Sequence, residues 1–220
     1  MYLPYYLKPN WPAPANIQAL TVTYPENFSE IKQDLDLPAE PIWLKQTHSN
    51  IAAYPEPNVL QEADACVSNN KLHPLAIKTA DCLPVLLCNQ AGTEIAAIHG
   101  GWRSLLSGII ENTLLKLKSN PQQLMAWTGP AICKNCFEVG PEVRDAFIQK
   151  YPDTHTAFNQ AQAANKYFGN LAYIAELILK NNNLNNIYHA NACTFEEENK
   201  FYSYRRAKQT GRIISLIWFQ

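Results

Sequence analysis

The stretch LAIKTADCLPVLLCNQAGTEIAAIHGGWRSLLSGIIENTLLKLK, residues 75–118, decides the fold class. Its apolar runs at 75–79, 83–88 and 94–98 have strand length and are separated by polar, turn-forming residues, so they read as strands buried in a sheet. After His99 the period of the pattern changes. Gly100 and Gly101 release the chain into a helix over 102–118, where Leu106, Ile109, Ile110, Thr113, Leu114 and Leu117 fall on one face at helical spacing. Strands that feed a helix of this kind bury one sheet face under it, which gives layers of secondary structure around a core.

The flanks extend the same alternation. Upstream, five prolines within the first 26 residues mark an extended lead-in to a strand at 18–23. Asn27 and Ser29 offer caps to a short helix near 30–35, and a strand at 41–45 delivers Gln46, Thr47 and His48 to its end. Downstream come a strand at 124–128, a helix at 141–150 with Pro141 in the first helical position, and a helix at 170–180 burying Leu171, Ile174, Ala175 and Ile178. Strands at 187–189, 201–204 and 212–219 complete the reading. The expected class is α+β or α/β, a single layered domain over residues 1–220 with a mixed sheet flanked by helices, residues 1–40 forming a variable lead-in and 41–220 the core.

Composition narrows the function. With 18 basic and 19 acidic residues the net charge is −1, which supplies no field for nucleic acid or an anionic membrane and favours small-molecule chemistry. No apolar run approaches the roughly 20 residues that cross a bilayer, and prolines interrupt the start of the chain, MYLPYYLKPNWPAPA, where a secretion signal would need a continuous apolar core. The expected location is cytoplasmic. Six cysteines in 220 residues are too sparse for a disulfide framework and read as reduced thiols. Cys66, Cys88 and Cys193 are expected to pack, and His73 and His155 to lie in solvated loops.

Chemistry concentrates in KQTHSN (45–50), TADCLPVLL (79–87) and AAIHGGWRS (96–104), each of which sets polar groups beside an apolar strand. Together His48, Cys82 and His99 would give two imidazoles and one thiolate with a fourth tetrahedral position left over, the composition of a catalytic zinc site. By spacing alone, each is more often a satisfied core residue than a ligand.

The chain resembles the YfiH-like family, also called multicopper polyphenol oxidoreductases, through KQTHSN, EADACVS, TADCLPVLL, AAIHGGWRS, GPAICKNCFEVGPEV, NLAYIAELIL and CTFEEENKFYSYRRAKQTGR in that order. The resemblance implies zinc held by His48, Cys82 and His99, with copper the less favoured metal. It implies phosphorolysis of adenosine, inosine, guanosine or methylthioadenosine, and deamination of adenosine. Purine nucleoside and phosphate are then the partners, in a monomer or small homo-oligomer. Phosphorolysis requires phosphate beside C1′ and stabilisation of the departing purine, for which Arg103, Arg205 and Arg206 are candidates. Deamination requires a nucleophile at C6, which zinc generates by lowering the pKa of water. Asp81 and Asp64 are candidates for orienting a ligand or moving a proton. Trp102 is expected to anchor the core, while Gln46 and Phe137 are implied purine contacts. The sequence departs from the family where ALTVTYPENFSEIKQ (19–33) replaces a glycine-rich loop and where Ser49 stands in place of the usual glycine.

Two rivals use the same residue types. A cysteine hydrolase or amidase, acting on cell-wall peptide precursors, would use a Cys82–His99 dyad. A structural zinc module would use Cys133, Cys136, His189 and Cys193, since CKNC followed by HANAC has ligand-like spacing.

Overall fold

The computed structural model describes residues 5–23, 28, 32 and 35–220. Most of the helix expected near 30–35 lies outside the described residues. The strands are β1 (Tyr5–Leu7), β2 (Ile17–Thr23), β3 (Leu44–Lys45), β4 (Ala52–Ala53), β5 (Gln61–Glu62), β6 (Ala65–Ser68), β7 (Leu75–Thr79), β8 (Leu83–Asn89), β9 (Ile95–Gly100), β10 (Leu124–Thr128), β11 (Glu138–Val139), β12 (Phe158–Gln160), β13 (Tyr167–Gly169), β14 (Asn186–His189) and β15 (Ile213–Phe219). The helices are α1 (Trp102–Ser107), α2 (Ile109–Leu114), α3 (Pro141–Lys150) and α4 (Leu171–Asn181).

Two sheets dominate. One runs β1-β2-β15-β7, and the other runs β14-β10-β8-β9-β6-β4 with both parallel and antiparallel pairs. The strand period of two sorts their side chains into three layers. Leu83, Val85 and Leu87 of β8 face the helices with Leu105, Ile110, Phe147 and Ile178, whereas Leu86 and Cys88 face the other sheet with Leu75, Ile77, Ile217 and Phe219. Leu20, Ile214, Leu216 and Trp218 cover the outer side of that second sheet. Strands buried on both faces explain why the apolar runs at 83–88 and 213–219 are continuous. The architecture is the layered mixed-sheet domain with flanking helices that the pattern implied.

Two local expectations fail for identifiable reasons. The helix expected over 102–118 is broken at Gly108, whose φ of 102° is left-handed and whose N–H closes α1 on the carbonyls of Ser104 and Leu105. The offset buries Leu105 fully and leaves Leu106 only partly buried. Residues 201–204 form no strand, because Ser203 Oγ and Arg205 N donate to the Asp81 carboxylate, and Ala207 N closes a turn on Ser203 O. No helix among the described residues is long and apolar enough to cross a membrane.

Candidate metal centre and active site

Three segments converge on one point. His48 follows β3 in a left-handed conformation (φ 61°), Cys82 sits in the turn between β7 and β8 after left-handed Asp81 (φ 86°), and His99 lies near the end of β9. Their ligand atoms all lie within 4.8 Å of one another. Cys82 Sγ is 3.6 Å from His48 Nε2. Tetrahedral zinc, with bonds of about 2.3 Å to sulfur and about 2.05 Å to nitrogen, requires an S···N edge of about 3.6 Å. Gly101 completes the cradle, since a Cβ there would lie 2.7 Å from His48 Cδ2 and 3.3 Å from Cys82 Sγ. The donor set and its spacing therefore fit a tetrahedral metal with one position left for water or substrate.

Asp64 organises this point. Its buried carboxylate accepts from the backbone N–H groups of Thr47, His48 and Ser49, from Ser49 Oγ at 2.7 Å, and faces His99 Nδ1 at 2.7 Å. Holding Nδ1 in this way leaves Nε2 of His99 for the metal position, the arrangement that orients ligating histidines generally. Burial pushes Asp64 up, but the bonds from His99 and Ser49 outweigh it and bring the carboxyl down to about 2. Burial works against a charged His99 ring, yet the Asp64 bond and then the Cys82 contact raise it to about 9. Burial likewise opposes the Cys82 thiolate, and contacts with His48 and His99 more than offset it, leaving the thiol at about 6. The setting favours the thiolate, the form that binds metals and attacks electrophiles.

Asp81 serves a different part of the chain. It accepts from Thr194 Oγ1 (2.7 Å), Ser203 Oγ (3.0 Å) and Arg205 N (2.7 Å), tying residues 194–205 to the turn that carries Cys82. The guanidinium of Arg206 donates to the carbonyls of Thr194, Phe195 and Phe201. That of Arg205 reaches Cys136 O and Glu138 O at 3.3–3.4 Å. Arg103 is exposed and stacks 4.3 Å over the Trp102 ring. Trp102 is half-buried, and Gln46 grips the edge of β7 through both the N–H and the carbonyl of Lys78.

All three ligand candidates line a cavity of about 520 Å³ whose rim carries Lys78, Arg103 and Arg212. A second cavity of about 240 Å³ shares His48, Cys82, Arg103 and Tyr204 with it and extends to Phe137 and Arg205. Lys78, Tyr204 and Arg212 escaped the reading of the sequence. Lys78 stands beside Ile214 through the pairing of β7 with β15, and only that long-range register brings Arg212 near it. A separate cavity of about 230 Å³ between residues 40–43 and 56–60 holds none of these groups.

His189, expected in the rival zinc module, has both ring nitrogens engaged, Nδ1 with Thr128 Oγ1 at 2.7 Å and Nε2 with Glu176 Oε2 at 3.1 Å. Cys193, expected to pack and also offered to the rival zinc module, is buried and approaches Cys133 and Cys136.

Fold and site together define a layered mixed-sheet domain with a Cys/His cluster at its strand ends. The chain belongs to the family described as multi-copper polyphenol oxidoreductase laccase, whose pattern matches residues 21–220. Purine nucleoside phosphorylase YfiH of Escherichia coli is 38% identical, over 96% of this chain and 97% of that protein. A purine nucleoside phosphorylase of Haemophilus influenzae is 38% identical over 97% and 99%. The first alignment runs over 237 positions against 220 residues here, so that relative carries insertions relative to this chain. The crystal structure of a Neisseria meningitidis DUF152 protein superposes with a TM-score of 0.92 at 37% identity, covering 98% of this chain and 99% of that one.

Proposed function

We propose that this chain is a zinc-dependent purine nucleoside phosphorylase, acting on adenosine, inosine, guanosine and methylthioadenosine, that also deaminates adenosine. The observation that carries the reading is the meeting of His48, Cys82 and His99 at a cavity rimmed by Lys78, Arg103 and Arg212. The relatives of Escherichia coli and Haemophilus influenzae, both purine nucleoside phosphorylases, suggest the reaction class.

In phosphorolysis a phosphate oxygen bonds to C1′ as the C1′–N9 bond breaks, and the electron pair left on N9 takes up a proton. The protein must hold the phosphate dianion against C1′, a task for Arg103 with Lys78 and Arg212. Phe137 and Tyr204, on the wall of the adjoining cavity, offer flat surfaces to the purine. In deamination water adds at C6 and ammonia leaves. Zinc held by His48, Cys82 and His99 would supply Lewis acidity, polarising an oxygen or lowering the pKa of water. Asp64 keeps the His99 ring in register throughout. On this reading Asp81 and Arg206 are positioning residues, because their polar atoms already hold protein groups.

Metal-analysed protein incubated with inosine or adenosine, with and without phosphate, tests the proposal. Phosphate-dependent hypoxanthine or adenine together with ribose 1-phosphate is expected, as is phosphate-independent inosine from adenosine. Neither product, with zinc bound in the pocket, would sink the substrate assignment.

A second reading has its own support. Cys82, His99 and Asp64 stand in the order of a nucleophile, a base and an orienting carboxylate. A metal-bound thiolate resists iodoacetamide until a chelator is added, so rapid alkylation of Cys82 in untreated protein would favour a cysteine hydrolase.

A further inference from the structure

A second group of donors, Cys133, Cys136, Cys193 and Glu196, meets on the other side of the 131–137 segment and has no part in the reaction above. We propose that it is a closed structural zinc site that fastens the wall of the substrate cavity. Its ligand atoms all lie within 4.8 Å of one another, with Cys133 Sγ 3.5 Å from Cys136 Sγ and Cys136 Sγ 3.4 Å from Glu196 Oε1. Zinc bonds of about 2.3 Å to sulfur and about 2.0 Å to oxygen set tetrahedral edges of about 3.8 Å and about 3.5 Å. The three cysteines are free thiols, and the Cys133–Cys136 and Cys136–Glu196 separations are close to those edges.

The backbone prepares the arrangement. Cys136 N and Phe137 N both donate to Cys133 O at 3.0 Å, a tight turn that presents the two sulfurs of CKNC on one side. The partner loop is held alongside, with Ala131 N donating to Ala192 O and Thr194 N donating to Ala131 O. Cys133 N donates to Cys193 Sγ at 3.3 Å, which holds the third sulfur against the CKNC turn. The fourth donor is Glu196, His189 being occupied elsewhere. Four protein ligands leave no position for substrate, which marks a structural site.

Its placement explains what it would do. Residues 132 and 137 line the smaller cavity, Arg205 is anchored on Cys136 O, and Arg206 is anchored on Thr194 O. Joining the 133–136 turn to residues 193–196 therefore fixes the wall on which Phe137 and Arg205 stand.

The test uses the full chain purified from zinc-supplemented cells. Elemental analysis is expected to find two zinc equivalents in the wild type, and one each in Cys82→Ser and in the double variant Cys133→Ser/Cys136→Ser. Cobalt substitution reads the ligands directly: the sulfur-to-cobalt absorption of the wild type should fall to about a quarter in the double variant, one thiolate remaining of four. Glu196→Ala changes only an exposed side chain and should lose the second equivalent to a chelator at least about tenfold faster. A wild type with a single equivalent that the double substitution leaves in place would overturn the proposal. So would metal-free protein whose mass shows a Cys133–Cys136 disulfide. A single equivalent lost in the double variant but kept in Cys82→Ser would support this site and count against zinc in the pocket. The wild-type metal count and cobalt spectrum stand even if a variant fails to fold.

Discussion

The pocket cluster and the Cys133–Glu196 cluster draw on overlapping donor chemistry but are assembled in opposite ways. In the pocket, three donors arrive from segments far apart in sequence, His48 and Cys82 being separated by 34 residues, and one buried carboxylate holds two of the segments together. In the other cluster, a four-residue turn supplies two donors and a neighbouring loop the rest, with backbone bonds setting the register. The first presents three donors to a cavity of about 520 Å³, whereas the second brings four donors together beside a cavity of about 390 Å³ that Cys133, Cys193 and Glu196 line. Donor identity therefore says little about role. The number of donors and what backs them decide whether a site is built to receive a molecule or to hold the chain.

Several experiments would sharpen or break this contrast, and Asp64→Asn should have the largest effect. An amide keeps the volume of the buried carboxylate but meets the N–H groups of residues 47–49 and the His99 ring with weaker and partly mismatched partners. We expect a loss of about 3–5 kcal/mol in stability, read by chemical denaturation, and loss of pocket metal with the Cys133 cluster still loaded. Unchanged metal affinity would show that Asp64 does not orient His99. Gly101→Ala comes next. Its Cβ would displace His48, so pocket-metal affinity should drop about 10- to 100-fold by chelator competition while the melting temperature barely moves. An equal drop at both clusters would contradict their independence.

Ser49→Gly removes one bond to Asp64. The expected cost is about 1–2 kcal/mol, since the acceptor is charged, with pocket affinity following stability downward. The smallest effect belongs to a region tied to neither cluster. Burial, and then the bond to Glu111, raise the Tyr151 phenol above its usual range. Because the folded value exceeds the unfolded one of about 10, this bond stabilises fully below that pH and fades as pH climbs beyond it. Tyr151→Phe should flatten the alkaline fall of melting temperature and leave both metal contents unchanged. An undiminished alkaline slope would assign it to other groups.

What the sequence disclosed follows from how local each signal is. The runs at 83–88 and 124–128 read correctly because both faces of those strands are buried, and α3 was legible from Pro141, whose missing N–H costs nothing at a helix start. The His48, Cys82 and His99 candidates each lie beside an apolar strand, a weak signal by itself that the family resemblance turned into a ligand set. The FYSYRR segment did not read correctly: its aromatic pattern suggests a strand, but it is held by Asp81, 122 residues from Ser203, through side-chain bonds that leave no trace in periodicity. The carbonyls of Thr194, Phe195 and Phe201 that accept from Arg206 are likewise visible only in the folded chain. Glu196 was missed as a donor because the spacing of HANAC drew attention to His189.

The position of β15 in the sheet order β1-β2-β15-β7 carries a consequence for biogenesis. A central strand is paired on one side with residues synthesised much earlier than itself, the Thr21–Ser215 hydroxyl pair spanning 194 residues. Until those late residues leave the ribosome, β2 and β7 each expose an unpaired apolar edge. Such non-local pairing slows folding and prolongs exposure to aggregation, so this protein should depend on chaperone occupancy during translation more than its size alone would suggest.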